Sequence, residues 1–134
     1  MDSRSKPIIN VSYSYNPLEQ TLEYEMKKKS VFIGIPKENS FQENRIALTP
    51  QAVAVIVSNG NRVVVEHNAG IASSLTDNEY SEAGAQIVYD KKEIFNADII
   101  LKTAPINHEE LDLLKENQIV FSPIHITSLT REYL

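Results

Sequence analysis

Val31-Phe32-Ile33-Gly34-Ile35 is a run of five residues without one polar side chain, closed by Pro36. A strand with one wet face alternates apolar and polar residues, whereas a strand covered on both faces reads as a short continuous apolar run. This stretch therefore predicts an inner strand of a parallel sheet. Downstream, after a polar loop, Thr49 is placed to cap and Pro50 to open a helix whose Val53, Ile56 and Val57 share a face, ending at Asn59-Gly60. Arg62 to Glu66 is a valine-rich strand. Thr76 with Glu79 makes a capping box for a helix that Gly84 closes in a left-handed conformation. The cycle repeats with a strand from Ala85 to Val88, a brief helix after Asp90 with Glu93 three residues on, and a strand from Asp98 to Lys102. Asn107 and Glu110 then start a helix that puts Leu111 beside Leu114, Gln118 to Ile124 supplies a fifth strand, and a last helix begins near Thr127 or Ser128. Strands alternating with helices at this spacing imply crossover connections, hence an α/β fold with a parallel sheet and helices on both faces.

The 134 residues suffice for one domain with a core that needs no staples. Thirteen basic against eighteen acidic residues give a net charge of −5, and no basic stripe runs along the regular part, which argues against nucleic acid as a partner. Without cysteine there is no disulfide framework and no thiolate metal site. Lys27, Lys28 and Lys29 precede the first apolar run, but that run is too short for a membrane span or an export segment, so a cytoplasmic protein is expected. Residues 1–29 hold scattered apolar side chains with no sustained period and read as a poorly ordered extension. An alternative is that Tyr13, Tyr15, Leu18 and Leu22 lie on a neighbouring surface. Residues 30–134 are the folded part. The last helix starts so close to Leu134 that the natural chain is expected to continue. None of the four glycines is spaced as G-x-G-x-x-G, so a dinucleotide's pyrophosphate is not expected to be held here.

Three residues fall just past the carboxyl ends of different predicted strands, along the edge where open parallel sheets bind small molecules: Arg45, Lys102 and His125. A bidentate cation, a mobile ammonium and an imidazole that titrates near neutrality suit holding a carboxylate while a proton moves beside it. Each also has a plainer explanation. Arg45 is alternatively a solvated loop arginine. Lys102, at the end of Ile99-Ile100-Leu101, either snorkels to water over its own stem or is an ammonium held in a cleft where it stabilises developing charge. His125, after Ile119 to Ile124, is either a satisfied core histidine or an acid-base group beside the Lys102 strand. His67 and His108 have polar neighbours and read as surface residues. Serines such as Ser122 lack a nucleophile elbow, and the three histidines show no metal-ligand spacing, so no metal is expected.

Several segments resemble, in order, those of alanine dehydrogenases and the related nicotinamide nucleotide transhydrogenase alpha subunits. They are Ile33-Gly34-Ile35-Pro36-Lys37-Glu38, Asn44-Arg45-Ile46-Ala47-Leu48-Thr49-Pro50, Val65-Glu66-His67-Asn68-Ala69-Gly70, Tyr80-Ser81-Glu82-Ala83-Gly84-Ala85 and Asp98-Ile99-Ile100-Leu101-Lys102. The resemblance runs from Ser30 to Leu134 and implies the first part of a Rossmann-like substrate domain, with the nucleotide-binding domain outside this chain. By motif position it puts the family's carboxylate-binding arginine on Arg45, its substrate-binding lysine on Lys102 and its acid-base histidine on His125. The implied reaction of the complete protein is reversible conversion of L-alanine, NAD and water into pyruvate, ammonia and NADH, with these 134 residues inactive by themselves. NAD is the implied cofactor and alanine or pyruvate the small-molecule partner; a homo-oligomer is expected. After Lys102 the chain has Thr103-Ala104-Pro105 where the family continues with valine, lysine, glutamate and proline, and Pro123-Ile124 stand before His125 where the family has an aromatic and a leucine. Three further readings stay open. The chain is alternatively part of the nucleotide-binding subunit of a proton-translocating transhydrogenase, a non-catalytic module for small carboxylates, or, more distantly, a relative of saccharopine dehydrogenase.

Overall fold

The computed structural model of the protein describes residues 29–39 and 42–124. Within them β1 (Phe32–Ile35), α1 (Pro50–Ser58), β2 (Arg62–Glu66), α2 (Asp77–Glu82), β3 (Gln86–Val88), α3 (Lys91–Ile94), β4 (Ile99–Leu101), α4 (His108–Leu111) and β5 (Ile119–Phe121) follow one another, with a 3-10 turn at Ile71–Ser73. The five strands pair in the order β3-β2-β1-β4-β5, and every neighbouring pair is parallel. Strand order runs backwards from β1 to β3 and forwards from β4 to β5. The winding therefore reverses between β1 and β4.

Local chemistry sets the helix starts as the sequence predicts. Thr49 accepts from the Ala52 N–H with Pro50 in the first turn, and Thr76 and Asn107 each complete a capping box, with Glu79 and Glu110 respectively. Asp90 caps the one-turn α3 through the Lys92 N–H. Gly84, at φ +95°, takes the left-handed position that ends α2. Along β2 the pleat sends Val63 and Val65 to one face and Val64 to the other. Val63 and Val65 join Ile35, Val53 and Tyr80 under α1 and α2. Val64 joins Ile94, Phe95, Ile100 and Ile106 under α3 and α4. The continuous apolar runs of the inner strands match a sheet covered on both faces.

One strand departs from expectation. β5 spans Ile119–Phe121 rather than Gln118 to Ile124, and its pairing stops at Leu101 with Phe121. Among the described residues β5 has one neighbour, β4, and Pro123 has no N–H to extend the ladder. Ile119, Phe121 and Ile124 are more than half exposed, so the chain that leads towards His125 is not buried in hydrocarbon. Residues 1–28 of the expected extension, His125 itself and the helix predicted near Thr127 or Ser128 lie outside the described residues. Among the described residues no helix is long and apolar enough to cross a membrane.

Gly34 on β1 packs against the end of α3 and the turn that follows it. A Cβ there would stand 2.6 Å from the Ile94 carbonyl oxygen and 3.0 Å from the Ala97 Cβ, so part of the backbone has to move. Gly34→Ala is expected to cost about 1–3 kcal/mol, the range for overpacking a well-filled core. A urea titration checks it; an unchanged midpoint would mean that the turn after α3 yields freely.

Candidate functional site

Strand order reverses between β1 and β4, and open parallel sheets bind ligands outside the carboxyl ends of the strands at such a switch point. Lys37 and Glu38 leave β1 there, and Lys102 and Thr103 leave β4. The Lys102 side chain is only 1% exposed, and its Nζ donates to Glu38 Oε2 and Glu110 Oε1, both at 2.9 Å. Glu38 Oε1 accepts the Thr103 N–H at 2.6 Å. The Thr103 hydroxyl lies 3.2 Å from that oxygen and 3.2 Å from the Arg45 carbonyl, one proton between two acceptors.

The cluster extends to α3 and β2. Glu110 Oε2 is occupied by the Asn107 N–H of its own capping box, while Oε1 also accepts from Lys91 Nζ at 3.1 Å. Lys91 stands 3.9 Å from Glu66, whose Oε2 accepts the Lys37 N–H at 2.7 Å. Two ammonium groups thus face three carboxylates drawn from five chain segments. Burying isolated charges would cost several kcal/mol each, which only close pairing and hydrogen bonding offset. Burial pushes the Glu110 carboxyl up, but hydrogen bonds from Lys102 and the Asn107 backbone, the Lys102 charge and a hydrogen bond from Lys91 together outweigh it and hold the carboxyl below its ordinary value. Glu110 is therefore an anion at neutral pH. Lys102 Nζ carries three N–H groups, of which two are engaged among the described residues.

The snorkelling alternative for Lys102 is overturned, because its head and not only its stem is enclosed. Arg45 follows β1 as predicted, and the Thr103 contact brings its main chain to the Lys102 loop. Its side chain is 77% exposed and grips Glu43 through two parallel contacts, Nε to Oε1 at 2.9 Å and Nη2 to Oε2 at 2.8 Å. That grip holds the Glu43 carboxyl down at about 2. The arginine fork is thus bidentate on a carboxylate, one supplied two residues away. Main chain, not guanidinium, meets the Lys102 cluster. His125 lies outside the described residues, although β5, which leads to it, runs beside β4.

Sequence reading missed the partners. Glu110 was visible only as a cap, and Glu38, Lys91 and Glu66 carried no separate signal. A lysine ending a buried apolar strand does demand a counter-ion, and that demand was the available clue. His67, read as a surface residue, is half-buried: Nδ1 lies 2.5 Å from Asp77 Oδ2, and the ring stacks at 4.5 Å on Tyr89. Among the described residues no group of three or more His, Asp or Glu is arranged to hold a metal ion. Of the glycines, Gly34 is walled in by Ile94 and Ala97 and Gly70 by Leu75 and Tyr80, while nothing stands within 4 Å of where a Cβ on Gly60 would be.

A doubly wound parallel sheet with a buried, doubly paired ammonium at its switch point defines this chain as an α/β domain. The family described as alanine dehydrogenase/PNT, N-terminal domain, matches residues 34–134, and the chain belongs to it. Among relatives, the alanine dehydrogenase of Staphylococcus saprophyticus is 40% identical over 107 residues, which is 78% of this chain and 29% of that protein. The alanine dehydrogenase of Methanococcus maripaludis is 42% identical over 97 residues, 72% of this chain and 26% of the relative. A solved L-alanine dehydrogenase shares the fold with a TM-score of 0.71 and 35% identity, over 75% of this chain and 28% of that one. A transhydrogenase from Sinorhizobium meliloti gives 0.63 and 32%, over 67% and 27%. The chain spans less than a third of the length of these proteins.

Proposed function

We propose that this chain is the amino-terminal part of the substrate domain of an alanine-dehydrogenase-like oxidoreductase. The complete protein would convert L-alanine, NAD and water into pyruvate, ammonia and NADH, and the reverse. What carries the reading is Lys102: an enclosed ammonium at the switch point, fixed by two carboxylates with one N–H left among the described contacts. That N–H would donate to the carbonyl oxygen of pyruvate, or to the oxygen that forms as water adds to the imine, stabilising charge as it develops. Arg45 would exchange the Glu43 carboxylate for that of the substrate, since its fork already displays the matching geometry. His125 would move the protons as water and ammonia enter and leave. NAD would be held mainly by sequence outside these 134 residues, in a cytoplasmic homo-oligomer.

Similarity to the transhydrogenase structure favours a second reading, exchange of hydride between two nicotinamides without an amino acid. Assay of the complete protein separates the two. Alanine-dependent NADH formation supports the dehydrogenase; hydride exchange from NADPH to an NAD analogue with no response to alanine would replace it. Pyruvate binding by calorimetry, with neither activity, would leave a carboxylate-binding module.

A further inference from the structure

α3 and α4 are single turns, yet Lys91 on α3 reaches an oxygen of Glu110 on α4 that Lys102, just after β4, also reaches. Because the capping box occupies Glu110 Oε2, only Oε1 faces the cations, and it accepts Lys102 at 2.9 Å and Lys91 at 3.1 Å. An oxygen shared between two ammonium groups is pulled towards both and fixed between them. Lys91 is itself held on three sides, by Glu110, by Glu66 at 3.9 Å and by the Lys37 carbonyl at 3.4 Å, and is 19% exposed. Surface ion pairs are rarely so constrained.

Charge balance gives this arrangement a second consequence. Facing Lys102 and its partners are Glu38 after β1, Glu66 at the end of β2, Lys91 on α3 and Glu110 on α4. The five groups carry one excess negative charge, and removing Lys91 doubles it. A substrate bearing a carboxylate has to approach through that field.

We propose that Lys91, acting through Glu110, is a positioning residue that fixes the Lys102 ammonium and tempers the negative charge around it for a small carboxylate substrate. The inference rests on Lys102 touching substrate. Lys91 does not touch it.

The test uses the complete protein with Lys91→Met and Lys91→Gln, which remove the charge, and Lys91→Arg, which keeps it. Both neutral variants are expected to raise KM for pyruvate about fivefold or more, with a smaller change in kcat, as one uncompensated charge at short range requires. Lys91→Arg should restore the parental KM. Parental KM in a neutral variant whose melting temperature matches the parent would overturn the proposal, leaving Lys91 a structural ion pair. Lys102→Met serves as the control on the underlying reading. If that variant keeps parental turnover, the site reading and this inference fall together. If it is inactive while Lys91→Met and Lys91→Gln behave as the parent, only this inference falls.

Discussion

Lys102→Met in the complete protein should lower turnover of alanine with NAD by about 10²–10³-fold, the range for deleting one preorganised donor to a developing oxyanion. Methionine preserves the length of the stem and removes only the ammonium. Water is a poor substitute at that position, because the native Nζ lies in a side chain 1% exposed and walled by Glu38 and Glu110. The same change strands two carboxylates without the cation they share, so the fold is weakened as well, and activity has to be read per folded molecule. Near-ultraviolet circular dichroism at the assay temperature gives that fraction. Turnover within a few-fold of the parent at full dichroic amplitude would reduce Lys102 to a structural ion-pair partner. Lys102→Arg is not a conservative control here: a planar fork cannot place its donors where a tetrahedral ammonium does.

Which features were legible in the sequence follows from how far apart the interacting residues lie. The Thr76 and Glu79 box closes over three residues, and Gly84 answers a backbone requirement of its own position, so both are readable locally. β2 spans Arg62 to Glu66 as read, because a valine run bounded by polar ends has one geometry available at an inner position. β5 was overextended because an apolar run does not say whether its strand has one neighbour or two. Glu110 shows the boundary best. Its Oε2 makes the local bond the capping box announces, while its Oε1 meets Lys102 eight residues earlier and Lys91 nineteen residues earlier, contacts that exist only once the sheet has formed. Glu38 meets Lys102 across 64 residues. Arg45 is a loop arginine 77% exposed, the plainer of its two readings, and its fork is taken by Glu43, close enough in sequence to win before any distant partner arrives. That the carboxyl edge of the sheet would gather these residues was legible from the strand-helix alternation; the strand order that places the switch point, and the charge balance there, were not.

Glu110→Ala should destabilise the domain by about 3–5 kcal/mol, the cost of breaking a buried ion pair from one side. The side chain is 1% exposed, so neither Lys102 nor the Asn107 N–H gains full hydration in exchange. Glu110→Gln keeps an acceptor for Lys102 and should cost less, which separates the hydrogen bond from the charge. The pH dependence has a fixed sign. The folded Glu110 carboxyl lies below its ordinary value of 4.5, so its contribution is fully present above pH 4.5 and is lost as pH falls through the folded value. Glu43 and Glu79 are lowered too, and they contribute equally to parent and variant. The difference in unfolding free energy between parent and Glu110→Ala, measured by urea titration at a series of pH values, should therefore be flat from neutrality down to pH 4.5 and shrink below it. A difference that grows on acidification, or a loss under about 1 kcal/mol at neutral pH, would mean that Lys91 and Lys102 find water or Glu38 and Glu66 sufficient without the shared oxygen.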